Sequence, residues 1–187
     1  MMTQAPHTLA DAVIGLGDIR RGDLGVAARV MEALEQDSPA DGPECAFIGE
    51  NLTALPGLLY KRRAAVIVTP AGLTGWPGIV TTLDVPDFFA LAASRAGTLC
   101  RLAALAQRLA WIDCAMGLPP RLGVVLLETA HEEGPSLSRS ARSGLRRAVT
   151  AVWRYLARPE SPEPAGGRVS RLYRFSLPEM TDRKSVA

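Results

Sequence analysis

The sequence is poor in the residues on which most simple catalytic and metal-site patterns depend. Only two of its 187 residues are histidine (His7 and His131) and three are cysteine (Cys45, Cys100 and Cys114). No C-x-x-C, H-E-x-x-H or G-x-S-x-G string occurs, which excludes the common zinc patterns and the serine hydrolase elbow. Three scattered cysteines indicate a reducing compartment and buried thiols, not a disulfide framework. His131 lies in an acidic loop, where a solvated surface role is favoured over a ligand role.

Charge of one sign and long apolar runs are also lacking. The formal net charge of +2 is too small to indicate a nucleic-acid partner. No apolar stretch is long enough to span a bilayer, and the first residues lack the basic and apolar regions of a signal peptide. We therefore expect a soluble cytoplasmic protein with no membrane span. The chain is 48% hydrophobic, enough for one domain with a sizeable core.

Short apolar runs alternate with amphipathic segments along the chain. Strands are predicted at residues 12–17, 45–49, 64–70, 78–85 and 121–129. The first of these runs is apolar on both faces, as a parallel strand covered by helices must be. Helices are predicted after Asp23, whose carboxylate can cap the first of them, over residues 86–112 with a break near Gly97, and over residues 137–158. A shorter connection before the third strand is interrupted by Pro56 and Gly57.

This alternation predicts one α/β domain over residues 1–158, with three αβα layers and a mostly parallel central sheet. The Pro- and Gly-rich residues 159–187 are predicted to form a flexible tail. In such folds ligands bind beyond the carboxyl ends of the strands. We call this edge the carboxyl rim, and it comprises the loops after Gly17, Gly49, Val68 and Thr129.

The first loop, "GLGDIR", is a G-x-G-x-x-R string that invites comparison with dinucleotide-binding loops. Such a loop needs a third glycine where Arg20 stands, and an acid after the second strand, which instead ends "FIGEN". Nucleotide binding is therefore a weak alternative. Arg20, Arg21 and Arg95 near a helix N-terminus could still hold a phosphate or a carboxylate.

The last predicted helix carries a row of arginines opposite its apolar face. A solvated face is the favoured interpretation, and an acidic partner is the alternative. The row comprises Arg139, Arg142, Arg146, Arg147, Arg154 and Arg158.

Four stretches occur in the order found in the hydrogenase maturation proteases, and together they resemble that family over about residues 12–157. The family's first loop follows a G-N-x-L-x-x-D-[D/E]-G-x-G pattern, to which Gly17, Asp23 and Gly25 conform, with Asp18 replacing the asparagine. "ECAFIGEN" is similar to the D-x-G-T-x-P-E-N loop of the hydrogenase-3 type peptidases. Its Glu50 and Asn51 match the end of that loop, and Glu44 falls at its leading acid.

Two further stretches extend the resemblance. "AAVIVTPAGLTGWPGIV" is similar to the family's strand and loop, L-I-V-D-A followed by P-G-x-V. Pro77 and Gly78 match, whereas Thr69 and Pro70 replace Asp-Ala. "GPSLS" is similar to the G-x-x-L-S that begins the family's last helix.

The resemblance implies a phosphorylase/hydrolase-like α/β fold and an endopeptidase that clips a C-terminal extension from the large subunit of a nickel–iron hydrogenase. The family recognises nickel already inserted in its substrate through two acids and a histidine. It implies no cofactor of the protein's own, because the nickel belongs to the substrate. The implied partner is the hydrogenase large-subunit precursor, and no nucleic acid is implied.

The positions matched to these metal-contacting residues depart from the family. The first acid is replaced by Leu24, which has no lone pair, and the histidine by Arg95, whose guanidinium stays protonated. Nickel prefers imidazole and carboxylate ligands, so Glu44 is the one weak metal candidate. We therefore expect an impaired peptidase, or a non-catalytic, chaperone-like binder of the same partner. The predicted recognition residues are Gly17, Asp18, Asp23, Leu24, Gly25, Glu44, Glu50, Asn51 and Arg95.

Overall fold

The computed structural model of the chain describes residues 9–39, 42–95, 100–130, 134 and 136–159. Five strands form one sheet in the order β2-β1-β3-β5-β4. Four of them are parallel, and β4 pairs with β5 in the antiparallel direction. Their bounds are Ala12–Leu16 (β1), Glu44–Gly49 (β2), Ala64–Ala71 (β3), Val80–Asp84 (β4) and Arg121–Glu128 (β5). The predicted mostly parallel sheet is confirmed.

Helices cover both faces of this sheet, which gives the predicted αβα layers. Their bounds are Val26–Asp37 (α1), Leu55–Leu59 (α2), Val85–Ser94 (α3), Cys100–Met116 (α4) and Arg139–Leu156 (α5). Helices α1 and α5 pack on one face, and α2, α3 and α4 on the other.

The central strand β3 shows why the sheet is parallel and fully covered. All eight of its residues are buried. Ile67 points into the core beneath α2, α3 and α4, while Val66 and Val68 point into the core beneath α1 and α5. Continuous apolar runs of this kind are the signature of strands buried on both faces.

Two local predictions change in detail. Pro56 and Gly57 do not interrupt the helix before β3, because Pro56 occupies the first turn of α2, where its missing N–H is not needed. The predicted break at Gly97 lies outside the described residues, although α3 ends at Ser94 and α4 begins at Cys100 on either side of it.

The cysteine prediction is wrong for Cys114, which is exposed on α4. The thiol of Cys45 is half-buried, and burial together with the charge of Glu35 raises its pKa to about 11. A raised pKa leaves less reactive thiolate, about 100-fold less at pH 8 than for an ordinary thiol. We expect iodoacetamide at that pH to modify Cys114 well before Cys45, as mapped by peptide mass spectrometry. Equal labelling of the two would contradict this environment for Cys45.

No helix in the described ranges has the length and hydropathy needed to cross a membrane. The predicted tail lies outside the described residues from residue 160 onward. The domain boundary at residue 158 therefore stays a prediction.

Candidate functional site

The sheet has its topological switch between β1 and β3, the two strands at its centre. From β1 the chain passes through α1 to β2 on one side, and then through α2 to β3 on the other. Loops leaving neighbouring strands in opposite directions open a crevice at the carboxyl edge. The parallel strands β1, β2, β3 and β5 bring the four predicted loops to this edge, so the carboxyl rim exists as predicted.

The first rim loop (residues 17–25) is compact, and its own backbone atoms lie in close contact. Gly17 has a φ of 148°, and a Cβ there would lie 2.0 Å from the carbonyl oxygen of Leu24. The N–H of Asp18 donates to that same oxygen at 3.0 Å. Gly25 is similarly confined, since a Cβ there would lie 2.9 Å from the Cα of Ile19. Both positions therefore require glycine, because the neighbouring backbone lies too close for a Cβ atom.

The same hydrogen bonds argue against a phosphate loop. The N–H of Gly17 donates to Gly49, that of Arg20 to the Asp18 carboxylate, that of Arg21 to the Asp18 carbonyl, and that of Leu24 to the Arg21 carbonyl. A phosphate cradle needs such N–H groups to point at the ligand. The nucleotide alternative therefore loses its main structural support.

Replacing Gly17 by alanine is expected to lower the free energy of unfolding by more than about 2 kcal/mol, because the new Cβ both clashes and forces an unfavourable φ. Urea unfolding followed by circular dichroism measures this. The matched control is Gly57→Ala in α2, where a Cβ would meet nothing within 4 Å. That variant is expected to be neutral or slightly stabilising. Similar losses in both variants would contradict the tight first rim loop.

Asp23 is the most buried acid of the rim, and its role differs from the prediction. It has no exposed surface, and its carboxylate accepts hydrogen bonds from the N–H and the hydroxyl of Ser138, each at 2.7 Å. Ser138 is the N-cap of α5, whereas the N-cap of α1 is Gly25 and makes no side-chain bond. Asp23 thus stabilises the start of the last helix, not the first. A carboxylate beside a helix N-terminus is favoured by the helix dipole.

The third rim loop (residues 72–79) is fixed by Glu128, the last residue of β5. This carboxylate is 4% exposed and accepts hydrogen bonds from the N–H groups of Leu73, Thr74 and Gly75, at 2.8–3.1 Å. The anchored loop presents Trp76, whose surface is 71% exposed. A large aromatic side chain held out by a rigid loop is typical of a binding surface.

The loop after β2 contributes two of the predicted residues. Glu50 is exposed and forms an ion pair with Arg101 of α4 at 2.5 Å. Asn51 caps the short turn Leu52–Ala54 by accepting a hydrogen bond from the N–H of Thr53. Asn51 therefore shapes the loop, and Glu50 joins it to α4.

Glu44 does not lie at the carboxyl rim, and that prediction is wrong. It is the first residue of β2 and pairs in register with Ala12, the first residue of β1. The amino ends of these parallel strands lie at the opposite edge of the sheet, about 16 Å from the rim at 3.3 Å per residue. There Glu44 forms a salt bridge with Arg62, which also donates to the carbonyl oxygen of Ala10. Glu44 is thus no candidate for a metal contact at the rim.

The two positions that depart from the family's metal ligands are both at the rim. Leu24 is half-buried and belongs to neither core cluster. Arg95 is exposed at the C-terminal end of α3, and the chain beyond it lies outside the described residues. Thr69, which replaces the family's aspartate, is fully buried near the end of β3. None of these three is a good metal ligand.

Solved structures share this arrangement of strands and helices. The hydrogenase maturating endopeptidase HybD from E. coli superposes with a TM-score of 0.67 at 22% sequence identity, over 79% of this chain and 92% of that one. The [NiFe] hydrogenase maturation protease HybD from Thermococcus kodakarensis gives 0.59 at 17% identity, over 80% and 100%. HycI from the same organism gives 0.57 at 16%, over 82% and 96%. The fold is that of the hydrogenase maturation proteases.

The comparisons of sequence found no match: no protein-family model matches the chain, and no curated protein matches it significantly. The family that shares the fold is the one that the sequence motifs resemble. Within the described ranges, no group of three or more His, Cys, Asp or Glu side chains is arranged to hold a metal ion. His7 and His131 lie outside those ranges.

Each of the four acids that the described residues place at this rim already has a partner. Asp18 accepts the N–H of Arg20, Asp23 holds Ser138, Glu50 pairs with Arg101, and Glu128 holds the third rim loop. In this version of the maturation protease fold, the rim carboxylates hold the protein's own loops and helices in place.

Three of the rim residues were not predicted from the sequence: Ser138, Glu128 and Trp76. Glu128 could have been identified from the sequence, because it is an acid at the end of a buried apolar strand. A charge without a partner is unfavourable there. Ser138 could also have been identified, because serine at the start of a helix is a common N-cap and the helix predicted from residue 137 begins at Arg139. Its partner, Asp23, is 115 residues away in the chain, and no local pattern connects the two.

Proposed function

We propose that this protein binds the large-subunit precursor of a nickel–iron hydrogenase, or of a related complex, through its carboxyl rim, and that it does not cleave it. The observation that supports this most directly is that every acid described at the rim is engaged within the protein. A peptidase that recognises nickel needs free carboxylate or imidazole groups. Leu24 and Arg95 stand where the family pattern has two of its three metal-contacting residues.

The features required for docking are retained. The first rim loop is held by backbone hydrogen bonds and by the Asp23–Ser138 contact, and Glu128 holds the third. Two large apolar side chains project from these loops into solvent, Ile19 at 52% and Trp76 at 71% exposure. Apolar groups on preorganised loops favour association because little conformational entropy is lost on binding.

The maturation protease fold of this chain suggests the class of its partner, since the related structures are named for hydrogenase maturation. In this proposal the chain acts as a non-catalytic maturation factor. It engages the nickel-loaded precursor at the surface that its catalytic relatives use, and it leaves the C-terminal extension in place.

Hydrogen–deuterium exchange of the chain alone and with the precursor from its own genomic neighbourhood tests the docking surface. We expect slower exchange in residues 17–25 and 72–79 on complex formation. The exchange rate at the amino end of β2, which lies at the opposite edge of the sheet, is expected to stay the same. A saturable complex whose protection falls elsewhere would overturn the rim as the binding surface. Absence of any complex would overturn the partner class.

A further inference from the structure

A second surface begins beside the third rim loop and runs away from the carboxyl rim along β4, and it has features that the proposed function does not use. Among the described residues, strand β4 pairs with β5 alone and therefore forms one edge of the sheet. Beside it runs α5, and between them lies a groove of about 650 Å³. Three arginines of α5 border this groove, Arg146, Arg147 and Arg154, together with Arg158, which follows the helix.

Two contacts fix α5 alongside β4 in the same direction. Gly78, just before β4, is so close to α5 that a Cβ on Gly144 would lie 3.0 Å from its carbonyl oxygen. At the other end, the hydroxyl of Tyr155 donates to the carboxylate of Asp84 at 2.9 Å. The groove therefore extends along the length of β4, with Val80 and Thr82 on the strand side and Ala151 on the helix side.

The arginines of this groove carry little compensating charge. Arg158 is 3.6 Å from Asp84, an exposed pair, and such pairs contribute little. Arg147 donates to the hydroxyl of Ser143 at 3.3 Å. Among the described residues, no carboxylate forms a salt bridge with Arg146, Arg147 or Arg154. The groove is therefore positive.

We propose that this groove binds an extended, acidic segment of a partner protein, which adds to β4 as a further strand. An edge strand offers unpaired backbone N–H and C=O groups that a second polypeptide can bond. Nucleic acid cannot form those bonds. A second copy of this chain would bring the same positive charge to the groove, so like-charge repulsion disfavours it.

The spacing of the arginines is compatible with an extended strand, and the edge position of β4 is what favours a strand over a helix as the occupant. Arg146 and Arg154 are about 12 Å apart along the axis of α5, and Arg158 lies just beyond the C-terminal end of that helix. Residues four and two apart in a strand are separated by about 13 Å and 7 Å on one face. An acidic segment with carboxylates at positions p, p+4 and p+6 would therefore meet all three guanidinium groups.

The test is fluorescence polarisation with the full chain and a labelled peptide of about ten residues that carries glutamate at positions p, p+4 and p+6, with valine and threonine elsewhere. Binding is expected to be saturable below about 1 mM and to weaken as salt is raised. A peptide of equal composition with two glutamates moved to the opposite face is expected to bind more weakly. So is a peptide with proline at alternate positions, because it lacks the N–H groups that pair with β4.

The double variant R146E/R154E is expected to weaken binding at least about tenfold, because two attractive pairs become like-charge contacts. Its matched control is R139E/R142E on the same helix, whose side chains do not border the groove; it should bind as the parent does. All four side chains are exposed, and circular dichroism checks that both variants fold. The variant R154A removes one charge without reversing it, so it is expected to weaken peptide binding less than R146E/R154E does.

Three results would overturn the proposal: no saturable peptide binding up to about 1 mM, equal losses in the two double variants, or binding of the proline peptide as strong as that of the parent peptide. Tighter binding of an RNA oligonucleotide, with the same dependence on Arg146 and Arg154, would also overturn it in favour of a nucleic-acid surface.

Discussion

Replacing Asp23 by alanine is expected to lower the free energy of unfolding by about 3–5 kcal/mol, since two hydrogen bonds to a buried carboxylate are lost. The change leaves the N–H of Ser138 without its acceptor in a largely buried site. It also removes the negative charge at the amino end of α5, which that helix's dipole favours. A loss of this size is a large part of the stability of an ordinary domain.

Urea unfolding at neutral pH measures this loss, and Asp18→Ala in the same loop is the matched control. Asp18 is half-buried and accepts one backbone hydrogen bond, from the N–H of Arg20. Its removal is expected to cost less than about 1 kcal/mol. Asp23→Asn is expected to fall between the two, because the amide keeps one acceptor. A small cost for Asp23→Ala, combined with loss of partner binding, would instead assign Asp23 to recognition.

Replacing Trp76 by alanine is expected to weaken binding of the hydrogenase precursor by about 2 kcal/mol, or about 30-fold. Tryptophan is the residue type that most often dominates interface energetics, and Trp76 is held out by the loop that Glu128 anchors. Because its side chain is largely exposed, the same change should alter the free energy of unfolding by less than about 0.5 kcal/mol.

The matched control for this prediction is Trp111→Ala. Trp111 is also exposed, but it lies along α4 beside Arg108 and away from the rim loops. Biolayer interferometry with immobilised precursor compares the two variants with the parent chain. Unchanged affinity for Trp76→Ala would remove the third rim loop from the docking surface. An equal loss for Trp111→Ala would place the interface on another face of the molecule.

Much of the fold was predictable because the relevant signals are local. Strand β3 is apolar at successive positions, and only a sheet covered on both faces buries such a run. The rim followed from the parallel order of the strands. The antiparallel direction of β4 was not predictable in the same way, since its five residues carry no mark of strand direction and pairing with β5 decides it.

The errors at the site arose where long-range contacts decide a side chain's role. Asp23 precedes one helix in sequence yet holds the N-cap residue of another, because Ser138 folds back onto it. Glu44 was placed at the rim by motif alignment alone. The strand pattern already opposed this, since an acid that begins a parallel strand must lie at the amino edge. Trp76 could not be assigned from the sequence, because a single tryptophan in a loop does not show whether it packs inward.

The central claim is that this fold binds its partner without cutting it, and the mass of the partner tests it most directly. The purified chain is incubated with the nickel-loaded large-subunit precursor, and intact mass spectrometry follows the precursor over time. A maturation endopeptidase with its own precursor serves as the positive control. We expect a stable complex in which the precursor keeps its full mass. A precursor shortened at its C-terminus and released from the complex would contradict the account.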